Sequence, residues 1–158
     1  MRLRRLETPV GTLTVVAGDR GVRAVLFPRE RPPGGAVEGE HPLLAAVEAQ
    51  LAEYFAGGRT VFELPLDLVG TEFQRRAWLA LAAIPYGTTV SYGEQARRLG
   101  RPGAARAVGA ANGRNPVSIV LPCHRVVGAG GRLTGYGGGL DAKRALIEHE
   151  ARVLARAR

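Results

Sequence analysis

The pattern of apolar residues changes period part-way along the chain, and that change limits the folds open to it. Residues 2–7, 11–17 and 21–27 are rich in Val, Leu and Thr, with Pro9-Val10-Gly11 and Gly18-Asp19-Arg20-Gly21 between them. Turn residues at those points predict three short strands, the last two joined as a hairpin. Residues 28–41 form a Pro/Gly/Glu stretch that reads as a surface loop. From residue 42 the spacing becomes helical. Leu43, Leu44, Val47, Leu51, Tyr54 and Phe55 fall on one side of a helix over 42–56, and Gly57-Gly58 stops it. His41, just before Pro42, reads as solvent-exposed. Strands gathered first and helices after them specify an α+β chain.

Residues 60–70 read as a connection with one short strand. Thr71 then caps a helix through Ala83, with Phe73, Ala77, Trp78 and Leu81 on its apolar face. Pro85-Tyr86-Gly87 breaks it, and Thr88-Thr89-Val90 is extended. Ser91 and Glu94 have the spacing of a capping box opening a helix to about Leu99. Gly100-Arg101-Pro102-Gly103 is a tight turn, and residues 104–112 form a second short helix of very small side chains. Two short helices joined by a glycine-containing turn make a helix-turn-helix. Arg106 projects from the first turn of the second helix. A last helix over about 140–153 carries Leu146, Ile147 and His149 beside Glu150, with Arg152, Arg156 and Arg158 favouring its C-terminal end.

Charge divides the chain in the same place. Residues 1–66 hold eight arginines and eight acids, whereas residues 67–158 hold fourteen basic residues and six acids. The whole net charge of +8 therefore lies in the second part. An excess confined to one part is the footprint of a surface that meets a polyanion, most often nucleic acid. The organisation expected is an N-terminal domain over residues 1–66 and a nucleic-acid-binding domain over residues 67–158. No apolar run reaches the ~20 residues of a membrane span, so no membrane association is expected. The basic start lacks an apolar core and a small-residue cleavage site, so no signal peptide is expected either.

The second part also holds the sole cysteine. One cysteine excludes an internal disulfide and a cysteine-based zinc site, and it suits a reducing cytosol. The run Val117 to Leu121 reads as a buried strand closed by Pro122, delivering Cys123 to the interior. His124 and Arg125 follow directly. A thiol becomes a nucleophile when a base and positive charge favour its thiolate, and these residue types supply both. Beyond it, seven of residues 128–139 are glycine, which permits close backbone approach to a ligand.

Pro122-Cys123-His124-Arg125-Val126 resembles the active-site signature of the O6-alkylguanine-DNA alkyltransferases. Other pieces resemble that family in the same order. Val90-Ser91-Tyr92-Gly93-Glu94 is similar to the start of its helix-turn-helix, and Ala105-Arg106-Ala107-Val108-Gly109 to its recognition helix. Asn115-Pro116-Val117 is similar to the turn before its cysteine. Gly135-Tyr136 with Gly138-Gly139-Leu140 is similar to the loop closing over the base, and Lys143 with His149-Glu150 fits its last helix. The resemblance covers about residues 70–153. The first 66 residues match more loosely, as a small α/β domain of ribonuclease-H-like shape.

The resemblance implies repair of double-stranded DNA containing alkylated guanine. One alkyl group passes irreversibly to Cys123, with O4-alkylthymine as a second candidate substrate. His124 would be the base, acting through a water, and Glu150 would orient it. Asn115 would hold the turn, and Tyr92 would give a proton to the departing guanine. The carbonyls of Cys123 and Val126 would accept from the exocyclic amine, and backbone amides near Gly137 would face O6. Tyr136 would line the pocket. Ala105, Arg106 and Ser91 belong to the helices meeting the minor groove, with Arg106 filling the gap left by a flipped base. Arg125 stands with this substrate-facing set or organises local hydrogen bonds. No cofactor and no metal are implied, and the protein would act as a monomer in the cytoplasm, with cooperative loading on DNA left open. Many members carry serine where Gly137 stands, which bears on bulky substituents. A DNA-binding module without chemistry would lack the cysteine, and a cysteine hydrolase would turn over small esters without DNA.

Overall fold

The computed structural model describes residues 1–157. Arg158, expected to favour the end of the last helix, lies outside them. Strands β1 (Arg2–Thr8), β2 (Gly11–Gly18) and β3 (Gly21–Leu26) form an antiparallel meander. A short β4 (Val37–Glu38) runs parallel to β1 at its edge, within the stretch expected as a loop. The register Leu3↔Val16 and Leu6↔Leu13 sorts side chains by face. Leu6, Leu13, Val15 and Ala17 join the main core, while Leu3, Val16, Ala24 and Leu26 form a small cluster of their own. Helix α1 (Pro42–Phe55) covers the main-core face with Leu44, Val47, Leu51 and Tyr54.

His41 is not the exposed residue expected. It caps α1, its Nδ1 accepting from the Leu43 N–H at 3.1 Å, and its Nε2 lies 3.5 Å from Asp19. A helix that starts on proline needs an acceptor just before it, and the imidazole supplies one. Residues 60–70 contain no regular strand. Leu66 makes one isolated parallel bridge to Val22, fixed by Val22 N–H to Pro65 O and Asp67 N–H to Val22 O.

The helical part begins with α2 (Glu72–Ala80), which has a complete capping box between Thr71 and Gln74. It ends in a tight turn, Leu81–Ala83. Helices α3 (Tyr92–Arg98) and α4 (Ala105–Gly113) form the expected helix-turn-helix. Ser91 caps α3, but Glu94 turns away to Arg97 and Arg98, so the box is only half made. The Trp78 indole donates to Ala111 O at 2.7 Å, tying α2 to α4, and the amides of Gln95 and Asn112 join α3 to α4. Strands β5 (Val90–Ser91) and β6 (Val126–Val127) pair in parallel. Helix α5 (Leu140–Arg156) closes the fold. The main core is continuous across both parts: Val15, Tyr54, Trp78, Ile119 and Leu146 belong to one cluster.

The run Val117–Leu121 is buried but is not the strand expected. Val117 bridges Val25 and the chain then reverses, with Leu121 N–H bonded to Val117 O. Ile119 takes φ 73°, a left-handed conformation that costs a β-branched residue roughly 1–3 kcal/mol. An apolar run shows that a segment is buried, not that it is straight.

Candidate active site

The reversal at Ile119 sets the cysteine. Asn115 spans the base of the loop: its Nδ2 donates to Leu121 O at 2.8 Å, and its Oδ1 accepts from Val117 N–H at 3.0 Å. Both ends of the turn are thus held by one buried side chain. Pro122 leads into a tight helical turn, Cys123–Arg125, in which all three side chains are buried. Cys123 is 5% exposed. Burial pushes its thiol up to about 11, against the pull of the Asn115 amide and the Lys143 cation. The resting group is therefore a thiol, and a base must take its proton.

His124 sits fully buried with its Nε2 2.7 Å from Glu150 Oε2. Desolvation holds its pKa below the usual imidazole value even though Glu150 favours the charged form. A neutral ring with Nε2–H directed at a carboxylate leaves Nδ1 as an unprotonated acceptor. That Nδ1 is buried and has no hydrogen-bond partner. It makes no direct hydrogen bond to Cys123.

Glu150 is the most heavily bonded side chain among the described residues. Its Oε1 accepts from Arg125 Nε at 2.8 Å and from the Gly87 N–H at 2.9 Å. Its Oε2 accepts from His124, from Arg125 Nη2 at 3.0 Å and from the Tyr54 hydroxyl at 2.7 Å. These donors outweigh the desolvation that opposes ionisation and hold its carboxyl well below the usual range. Its folded value lies under its unfolded one, so this contribution to stability is present at neutral pH. It is lost as pH falls below the ordinary carboxylate range. Gly87 approaches the carboxylate at φ 78°, where an added Cβ would stand 2.1 Å from Leu154.

Arg125 is not a residue that faces substrate. It is 6% exposed, paired to Glu150 through two nitrogens, and its Nη1 donates to Ile84 O at 2.7 Å. Its guanidinium also lies over the Tyr86 ring. A charge so fully used inside the protein has nothing left for DNA.

On the outer side a cleft of about 640 Å³ is lined by Tyr92, Ala105, Arg106, Gly109, Tyr136 and Gly137, among others. Arg106 is exposed at its rim. Tyr92 lies along α4, its ring beside Gly109. Its hydroxyl accepts from Thr134 Oγ1 at 3.1 Å, and Lys143 Nζ donates to Thr134 O at 2.8 Å, so the buried lysine holds the glycine loop against Tyr92. Tyr136 stacks edge-on to Phe27, and its buried hydroxyl has no partner. Ser91 gives its hydroxyl to the cap of α3, and Val126 is buried in the pairing with β5.

Sequence reasoning missed two contributors from the first part. Tyr54 reaches Glu150, as described. Glu30 places its carboxylate 3.0 Å from where a Cβ on Gly137 would lie and accepts from the Phe27 N–H. A serine at position 137 would need Glu30 to move. The signal for Tyr54 was a phenol on an otherwise apolar helix face, since a buried hydroxyl needs a partner. Nothing in the sequence pointed to Glu30.

Comparison with known proteins decides the family. The family model for the DNA binding domain of 6-O-methylguanine DNA methyltransferase matches residues 72–152, and the model for the ribonuclease-like domain of the same family matches residues 1–68. The chain belongs to the 6-O-methylguanine DNA methyltransferase family. A methylated-DNA–protein-cysteine methyltransferase of Mycolicibacterium paratuberculosis is 53% identical over 152 residues, covering 94% of this chain and 92% of that one. A protein of the same name from Methanosarcina acetivorans is 45% identical over 148 residues, covering 91% and 94%. The crystal structure of Mycobacterium tuberculosis OGT in complex with DNA superposes with a TM-score of 0.90. It is 47% identical and covers 97% of this chain and 94% of that one. The α+β architecture, with a sheet part followed by a helical part, is that of the methyltransferase family. Among the described residues no helix is long and apolar enough to cross a membrane.

Proposed function

We propose that this chain repairs DNA by moving an alkyl group from O6 of guanine to Sγ of Cys123, irreversibly and once per molecule. The reading rests on one observation above all. The sole cysteine is followed by a buried histidine held at Nε2 by an ionised glutamate, with Nδ1 left as an unpartnered acceptor.

The chemistry follows from those groups. His124 takes, through a water, the thiol proton that the buried thiol will not release to solvent at neutral pH. The thiolate displaces guanine at the alkyl carbon: the C–S bond forms, the C–O bond breaks, and the electron pair leaves on the purine. Tyr92 supplies a proton to the departing base at N3. Glu150 stabilises the imidazolium, as the third member of a triad does. Asn115 keeps the cysteine turn in place, while the carbonyls of Cys123 and Val126 and the Gly137 amide address the edges of the base. A thioether has no local route back, so each molecule acts once.

A guanine stacked in a duplex cannot bring O6 to a buried sulfur, so the nucleotide is flipped out, at a cost of a few kcal/mol. Residues 67–158 bind double-stranded DNA through α3 and α4, and residues 1–66 support them. Ala105 and Ser91 sit at the DNA-facing ends of these helices, and Arg106 fills the vacated space in the stack. The Cys123 thiol is suited to the reducing cytoplasm, and the protein works as a monomer.

The test is the intact mass of the protein after mixing with a duplex carrying O6-methylguanine. One methyl on Cys123 for each lesion removed supports the reading; no adduct with a reduced thiol refutes it. Arg106→Ala should slow repair of the duplex by roughly 10- to 100-fold, the value of a specific arginine contact of about 1–3 kcal/mol. Reaction with the free base O6-methylguanine, which needs no flipping, should be unchanged. Equal loss on both substrates would place Arg106 outside this role.

A further inference from the structure

Tyr54 lies on α1, in the part of the chain to which no chemistry was assigned. It is fully buried, and its ring contacts Phe55, Phe62, Tyr86 and His149. A phenylalanine would fill that aromatic nest equally well, so packing does not account for the hydroxyl. The hydroxyl has one partner, Glu150 Oε2, 96 residues away and at 2.7 Å. The same oxygen receives His124 Nε2 at 2.7 Å and Arg125 Nη2 at 3.0 Å. A carboxylate oxygen shared among several donors presents less negative charge to each of them.

We propose that Tyr54 is a positioning residue for alkyl transfer, its hydroxyl fixing Glu150 and limiting how strongly that carboxylate holds a charged His124. The inference rests on the reading of Cys123 as alkyl acceptor and His124 as its base. The charged and titratable groups around this centre are few. Glu150 and Lys143 act on His124 from α5, and Arg125 acts from the next position in the chain. Around Glu150 stand Arg125, His124, Tyr54 and, from the segment before β5, Tyr86. His149 meets Tyr54 through the backbone, Nε2 lying 2.9 Å from Tyr54 O. Of these groups only Tyr54 comes from residues 1–66. Glu30, from the same part, acts on the Cys123 thiol, and Tyr54 is the point at which the first part of the chain touches the His124–Glu150 pair.

Without the hydroxyl, Oε2 is left to His124 and Arg125, and the imidazolium is favoured. The ring then holds its proton to higher pH and is unavailable as a base over a wider range.

The test is Tyr54→Phe in the full chain. Its single-turnover rate on an O6-methylguanine duplex is followed against pH beside the parent protein. Melting temperature and affinity for the duplex are measured in parallel. The acid limb of the rate profile should move up by about half to one pH unit, making the variant roughly 3- to 10-fold slower on that limb. The high-pH plateau should stay within about twofold, since the base is then neutral in both proteins. The His124 ring resonances should titrate with the same upward displacement. A limb and a titration that superimpose on the parent's, or move down, overturn the proposal, even if the melting temperature falls. A parent protein that takes no methyl on Cys123 refutes the functional reading instead, so the two failures are distinct.

Discussion

Cys123→Ala takes up no alkyl group at all, yet binds the lesion-bearing duplex as the parent does. The expectation of total loss comes from the inventory of nucleophiles. No other cysteine exists in the chain, and the buried residues around the site offer no atom as soft as sulfur, the free His124 Nδ1 included. Tyr54 and Tyr136 have pKa values pushed further up by burial, and Lys143 is committed to Thr134 O. Displacement at a saturated carbon rewards a polarisable, strongly nucleophilic atom, and sulfur is the one side-chain atom that provides it. Retained binding is expected because the residues proposed to face DNA, Arg106 foremost, lie on α4 and do not lean on the thiol. Intact mass and an electrophoretic shift assay read the two properties separately. Methylated protein in the variant would remove Cys123 from its role.

Glu150→Ala costs about 3–5 kcal/mol of stability, as expected when one partner of a buried ion pair is removed and the other charge is left without compensation. Here the stranded group is Arg125, whose guanidinium keeps only Ile84 O and the face of the Tyr86 ring. The Tyr54 hydroxyl and the Gly87 N–H lose their acceptor at the same time. For a chain of this size the melting temperature should fall by roughly 6–20 °C. Alkyl transfer should fall further than the folded fraction accounts for, because His124 loses the group that fixes its tautomer. Calorimetry gives the first quantity and single-turnover rates under folding conditions the second. A melting temperature within a degree or two of the parent's would mean that Arg125 finds another partner.

Much of the site could be read before the fold was known, and the reason is local. Tyr92, Ala105 and Arg106 lie on short helices whose bounds, the Ser91 cap of the first and the glycine turn before the second, are written in consecutive residues. Tyr136 and Gly137 lie on a loop marked by its glycines. All five line one cleft. What stayed hidden depended on distant contacts. Glu150 was expected to orient His124, and its Oε2 does stand 2.7 Å from that ring. That Arg125 should turn inward to the same carboxylate, rather than out to DNA, depends on α5 packing against the cysteine turn. The run 117–121 misled because burial and extension give the same apolar signature. The hydrogen bonds of Asn115, with the backbone bond from Leu121 N–H to Val117 O, hold it folded back. Glu30 could not be found from a loop of Pro, Gly and charge, since nothing local says that such a loop bends toward residue 137.

The tight burial of Cys123 bears on what happens after the reaction. The sulfur lies in a close-packed interior, touched by the core that also holds Val126 and Leu146. Each carbon it acquires must be accommodated there permanently, and inserting a methylene into a packed core typically costs about 1–3 kcal/mol. A spent molecule is therefore a less stable molecule. As damage is removed, a population separates into fresh protein and a weaker, more readily unfolded fraction, the weaker the larger the group accepted. A population of the protein is in this sense a dosimeter, its melting curve recording what fraction of its molecules has reacted and how bulky the accepted groups were.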